Sequence, residues 1–191
     1  MDDIIVIIIS AMLVNNIILT KFLGLCPFFG VSKKTNSALA MSVAVISVMV
    51  LTGMLTWIIY RMVLVPLSLE YMKYVVFILF IASMVQIIEM IIKKFHNKMY
   101  EVLGIYLPLI TTNCAIMGVA LINLVSEYSF VEAVANSFGT GLGFMLALMI
   151  MSGIRERLEL CDVPQSFRGV SIAFIIAFIL TLSFAIFGGL V

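Results

Sequence analysis

The chain has 191 residues, 64% of them hydrophobic and 11% charged, whereas an ordinary soluble domain is about 25% charged. A soluble globule is therefore excluded, and a net charge of +1 is too even for a basic nucleic-acid surface. Three cysteines, Cys26, Cys114 and Cys161, stand far apart and in no CxxC pair, which fits neither a disulfide framework nor a zinc knuckle.

Charged residues punctuate uncharged runs at 4–20, 35–60, 74–88, 102–126, 133–154 and 169–191, the third extending through Glu89 to Ile92. About 20 apolar residues in a helix cross a hydrocarbon core of roughly 30 Å. The runs lack the alternation of a membrane β-strand, so a helical bundle of six spans is the expectation. The first run opens on Asp2 and Asp3 and meets its lysine last, the reverse of a cleaved signal peptide, and should persist in the mature protein. Trp57 and Tyr60 close the second span, and Tyr71 and Tyr74 open the third, at interface positions for amphipathic rings.

Loop charge sets the direction. Lys21, Lys33 and Lys34 follow the first run, Lys93, Lys94 and Lys98 the third, and Arg155, Arg157 and Arg168 the fifth, against Arg61 and Lys73 alone on the other side. The positive-inside rule then places both termini outside.

Six spans divide into two sets of three, and an odd number of crossings inverts the second set on the first. The expected fold is all-α and forms one membrane domain over 1–191, with repeat one about 1–95 and repeat two about 99–191. Aligning Cys26 with Cys114 pairs Cys-Pro-Phe-Phe-Gly-Val at 26–31 with Cys-Ala-Ile-Met-Gly-Val at 114–119. Helix-interrupting residues precede both cysteines: Asn15, Asn16 and Gly24 in the first copy, Thr111, Thr112 and Asn113 in the second. The first helix of each repeat is thus expected to break near a cysteine, with Pro27 and Asn113 suited to a restart.

A buried cysteine often packs as a small hydrophobe. If thiolates are needed at this depth, the ligand is a soft metal or an iron–sulfur cluster. Two cysteines cannot complete a four-thiolate site, so the remaining ligands would come from a second copy or a paralogous subunit. Phe28, Phe29, Gly30, Ile116, Met117 and Gly118 are the candidate surrounding shell, the glycines allowing close approach. Glu89, the one acid inside a span, has Lys93 four residues on, the spacing of a helix ion pair. The polar residues at the two breaks suit interhelix bonding. His96 reads as part of a basic loop surface and Cys161 as a free thiol.

The segments Lys21-Phe-Leu-Gly-Leu-Cys-Pro-Phe-Phe-Gly-Val-Ser-Lys-Lys34 and Leu107-Pro-Leu-Ile-Thr-Thr-Asn-Cys-Ala-Ile-Met-Gly-Val-Ala-Leu121 resemble the A-subunit family of the Rnf electron-transport complexes. Ile154-Arg-Glu-Arg-Leu158, Asp162-Val-Pro164 and Phe167-Arg-Gly169 extend the match over essentially the whole chain. The related E-type subunit of the sodium-pumping NADH:quinone reductase is the nearest alternative. The resemblance implies an electron-transfer subunit of the bacterial cytoplasmic (inner) membrane, paired with a paralogous E-type subunit. Each would give two cysteines, here Cys26 and Cys114, to one [2Fe-2S] cluster. It also implies B, C, D and G types of subunit, FMN and NAD held on other subunits, ferredoxin as the indirect electron donor, and export of Na⁺ or H⁺. The chain carries no Gly-rich dinucleotide fingerprint and no catalytic residue is assigned, as a relay requires. An inverted-repeat channel or transporter, or a purely structural scaffold, are the readings from other classes.

Overall fold

The computed structural model describes residues 2–32, 34–66, 70–95, 109–110, 112–161, 164, 167 and 169–188. Among them are seven α-helices and no strand: α1 (Asp2–Ile9), α2 (Leu25–Val31), α3 (Thr35–Ile59), α4 (Lys73–Phe95), α5 (Cys114–Val125), α6 (Phe130–Glu159) and α7 (Val170–Gly188). Two helical stretches, Thr35–Met62 and Phe130–Glu159, with 28 and 30 residues, are long and apolar enough to cross a membrane. Among the described residues the secondary structure is helical, as expected. His96, Lys98 and Thr111 lie outside the described residues, as do the side chains of Glu89 and Lys93, which α4 carries.

The first apolar run does not form one continuous helix. From α1 the chain passes into a wider π turn over Ser10–Val14, and Asn15 ends it, its N–H donating to Ser10 O at 2.7 Å. Residues 15–24 then run in turns. Asn16 makes this break tolerable. It is fully buried, its Nδ2 donating to Met12 O at 3.2 Å and Gly143 O at 2.8 Å, and its Oδ1 accepting from Ile18 N–H at 3.2 Å. The Met12 carbonyl at the break thus finds a side-chain donor, as apolar surroundings demand, and the same amide ties the break to α6.

Small residues on α6 let its neighbours approach. A Cβ on Gly139 would lie 2.8 Å from Ile8 O, and one on Gly143 the same distance from Met12 O, so α1 and its π turn lie against bare α6 backbone, a Gly-x-x-x-Gly contact. Gly141 faces Ile46 of α3, and Gly53 of α3 faces Ser137 of α6 in a contact that leaves no room for a methyl. Phe28, Met41, Phe77, Phe144 and Met151 fill the fully buried core between these elements.

The ends of α6 are held differently. Glu132 accepts from Ser129 N–H at 2.8 Å at its start, the return half of a capping box. Nearby, Trp57 Nε1 donates to Tyr128 O at 2.9 Å and the Arg61 guanidinium lies 5.6 Å from the indole centre. Trp57 therefore ties the end of α3 to the α5–α6 connection. At its other end α6 runs past the apolar stretch 133–154 to Glu159, so Arg155 and Glu156 project from a helix and not from a loop.

Candidate functional site

The two cysteine motifs lie against each other. Cys26 sits in the first turn of α2 and Cys114 is the first residue of α5. Between them is Gly24, whose N–H donates to Cys114 Sγ at 2.9 Å. Its φ of +84° is left-handed, the region glycine enters without a Cβ penalty. The space is also closed: a Cβ there would lie 3.0 Å from Phe144 Cε2, 3.1 Å from Ala115 Cβ and 3.4 Å from Asn113 Oδ1. The turn that ends the break between α1 and α2 is therefore seated on the start of α5, two residues from Cys26.

Asn113 caps α5, its Oδ1 accepting from Ala115 N–H at 3.0 Å, as the sequence leads one to expect. Its Nδ2 is buried and has no partner among the described residues. Cys26 and Cys114 are free thiols and both are exposed on this chain, which disfavours the reading of either as a core-packing hydrophobe. Among the described residues no group of three or more potential metal ligands assembles; at this site the chain offers two thiols, a backbone N–H to one of them, and an orphaned amide beside it. That donor set fits half of a four-thiolate cluster site and not a whole one.

The surrounding shell divides. Phe28 and Ile116 are fully buried, Phe29 and Met117 partly so. Gly118 gives way to Leu23, whose Cδ1 would lie 2.6 Å from an added Cβ, so this glycine serves a close approach within the chain. Gly30 is exposed and its nearest neighbour, Leu109 Cδ1, would stand at an ordinary 3.7 Å. Cys161 is apart from all of these, its thiol donating to Arg157 O at 3.5 Å on the exposed end of α6.

Two features were not legible as site elements. Arg155, a topology charge by sequence, donates from Nη1 to Phe29 O at 2.9 Å and to Ser32 Oγ at 2.7 Å. It thus grips the end of α2, the helix that carries Cys26 in its first turn. Lys21, grouped by sequence with Lys33 and Lys34, instead lines a cavity of about 330 Å³ together with Asn15, Ser126, Tyr128, Asn136 and Thr140. It belongs to the helix break, on the side of α6 where that helix starts. The signal for Arg155 lies in Ile154-Arg-Glu-Arg-Leu158: charges continuing directly from an apolar helical run stay on the helix and can turn inward.

A family model described as Rnf-Nqr subunit, membrane protein, matches residues 4–191. A protein of Syntrophotalea carbinolica, named as the A-type subunit of an ion-translocating oxidoreductase complex, is 50% identical over 191 residues, covering 100% of this chain and 99% of that protein. The A-type subunit of the Na⁺-translocating ferredoxin:NAD⁺ oxidoreductase complex of Acetobacterium woodii is 50% identical, covering 96% of each chain. Its counterpart from the proton-translocating ferredoxin:NAD⁺ oxidoreductase complex of Clostridium ljungdahlii is 48% identical, covering 96% of this chain and 95% of its own. With the matched residues running from the first turn of α1 to residue 191, through both cysteine motifs, the chain belongs to the Rnf-Nqr family of membrane subunits.

Proposed function

We propose that this chain is the A-type electron-transfer subunit of an ion-translocating ferredoxin:NAD⁺ oxidoreductase. In this reading it forms six spans in two inverted repeats in the bacterial cytoplasmic membrane, with both termini outside. Cys26 and Cys114 supply two of four thiolates to a [2Fe-2S] cluster shared with a paralogous E-type subunit. FMN and NAD sit on other subunits. The observation that carries the proposal is the Gly24 N–H to Cys114 Sγ bond at 2.9 Å, which joins the two cysteine-bearing helix starts beside two exposed, unpaired thiols.

When bound, the cluster supplies a one-electron carrier inside the low-dielectric layer. The chain's own residues do the rest. Cys26 and Cys114 hold thiolates at an exposed face where a partner can complete the set. The N–H of Gly24 places positive dipole density on one sulfur, which favours the electron-rich state, since potentials follow hydrogen bonds to sulfur, net charge and exposure. Phe28, Ile116 and Phe144, all fully buried, keep water from the inner side of both helix starts. Relatives of nearly equal identity are named for Na⁺ and for protons, so the proposal attaches to the electron side and leaves the ion open.

The cavity that Lys21 lines is the specific feature favouring a solute-conducting inverted repeat instead, and one experiment separates the two. Low-temperature EPR with iron and sulfide analysis is run on the reduced complex, native and with Cys26→Ser and Cys114→Ser. Loss of a [2Fe-2S] signal with the subunits still assembled is expected. An unchanged signal and iron count would place the cluster elsewhere and return the chain to the transporter or scaffold reading.

A further inference from the structure

The C-terminal end of α6 makes four hydrogen-bond contacts with the segment that follows Cys26. Arg155 donates to Phe29 O and to Ser32 Oγ. Glu156 Oε1 accepts from Thr35 N–H at 3.3 Å. Ser152 Oγ and Thr35 Oγ1 lie 3.3 Å apart. Ser32 and Ser152 are fully buried, so this is a built contact and not a surface encounter. Phe29 O is among the last four carbonyls of α2, which lack partners within their helix, and a guanidinium there completes them with charge-assisted bonds. Phe29 itself is held sideways against Phe174 of α7, ring centres 4.4 Å apart.

We infer that Arg155 is a positioning residue for Cys26, fixing the two-turn helix that carries it through Phe29 O and Ser32 and placing a permanent positive charge at that helix's far end. The inference rests on the cluster reading above. Phe29 follows Cys26 by three residues, so a bond to its carbonyl fixes the single turn from which the Cys26 thiol projects. Reduction adds an electron beside that thiol, and a cation fixed along the same short helix favours the reduced state. A merely structural arginine would hold the fold and leave the potential alone.

The test is an EPR-monitored redox titration of the whole assembled complex carrying Arg155→Gln, Arg155→Lys or Ser32→Ala, with iron content measured on each. Arg155→Gln is expected to keep full iron content and shift the cluster midpoint to a more negative potential. Arg155→Lys, which keeps the charge on a more compact and flexible donor than the planar guanidinium, should recover part of that shift. Ser32→Ala, which keeps the charge and loses one bond, should give a smaller shift in the same direction. Should Arg155→Gln fail to assemble, the other two decide: shifted midpoints support the inference, and midpoints at the native value in both overturn it. A native midpoint in a fully loaded Arg155→Gln complex overturns it directly. A native complex with no signal dependent on Cys26 fails the cluster reading itself, and the inference falls with it.

Discussion

Gly24 concentrates the chemistry of the site in one residue with no side chain. Its left-handed φ of +84° and the contacts an added Cβ would make at 3.0 and 3.1 Å act together, since neither Phe144, fully buried, nor the helical Ala115 can withdraw without moving the core. Gly24→Ala should therefore destabilise the chain by about 1–3 kcal/mol, the usual range for a strained backbone or an overpacked core. The readout is a lower thermal midpoint of the detergent-solubilised subunit. Gly30→Ala, whose Cβ would meet Leu109 at 3.7 Å, should leave that midpoint unchanged, and a drop as large as that of Gly24→Ala would contradict the packing described. Sequence already marked Asn16 and Asn113, because amides near glycine and proline interrupt helices for a known reason. It could not mark the N–H of Gly24, which is no property of a residue type and becomes a donor to Cys114 only when two segments 90 positions apart meet.

At the scale of elements, α6 is the strut on which the broken helix rests. Gly143 presents its carbonyl to Asn16 Nδ2 and its bare Cα to Met12 O, so Gly143→Ala attacks a hydrogen bond and a backbone contact at once. Loss of stability should exceed the about 1 kcal/mol of an ordinary interhelix bond in a membrane. Gly153→Ala, with nothing within 4 Å of the new methyl, should be neutral or gain up to about 1 kcal/mol of helix propensity. Thermal or denaturant unfolding of the two variants side by side checks this; equal effects would show that α6 does not bear on α1 as described. The apolar runs located α3 and α6 well because long uniform stretches leave little else to form. They misplaced the end of α6, since charge signals the membrane boundary and not the helix boundary, and its 30 residues extend about 45 Å at 1.5 Å per residue, beyond a hydrocarbon layer of roughly 30 Å. The helical continuation past residue 154 is what lets Arg155 and Glu156 reach Phe29 of α2 and Thr35 of α3.

For the molecule as a whole, loop charge and fold disagree about one residue. Counting by position, Lys21 follows the first run and belongs inside with Lys33 and Lys34. The fold separates Lys21 from Lys34: α2 lies between them, its far end is gripped by Arg155, and Lys21 shares a cavity with Ser126 and Tyr128 at the opposite end of α6. Without Lys21 the excess of Lys and Arg in the other loops still favours the same orientation. The disagreement makes a sharp experiment, with forms that retain one cysteine each and have Cys26 and Cys114 replaced by serine, labelled by a membrane-impermeant maleimide in right-side-out and inverted vesicles. Cys161, exposed at the end of α6, should react only from the cytoplasmic side, and Ser126→Cys, exposed at the turn after α5, only from outside. Lys21→Cys is the discriminating position: it should follow Ser126→Cys and react from outside through the shared cavity. Reaction of Lys21→Cys from the cytoplasmic side alone, together with Cys161, would mean that the break between α1 and α2 opens inward and that the count of loop charges was right about this lysine.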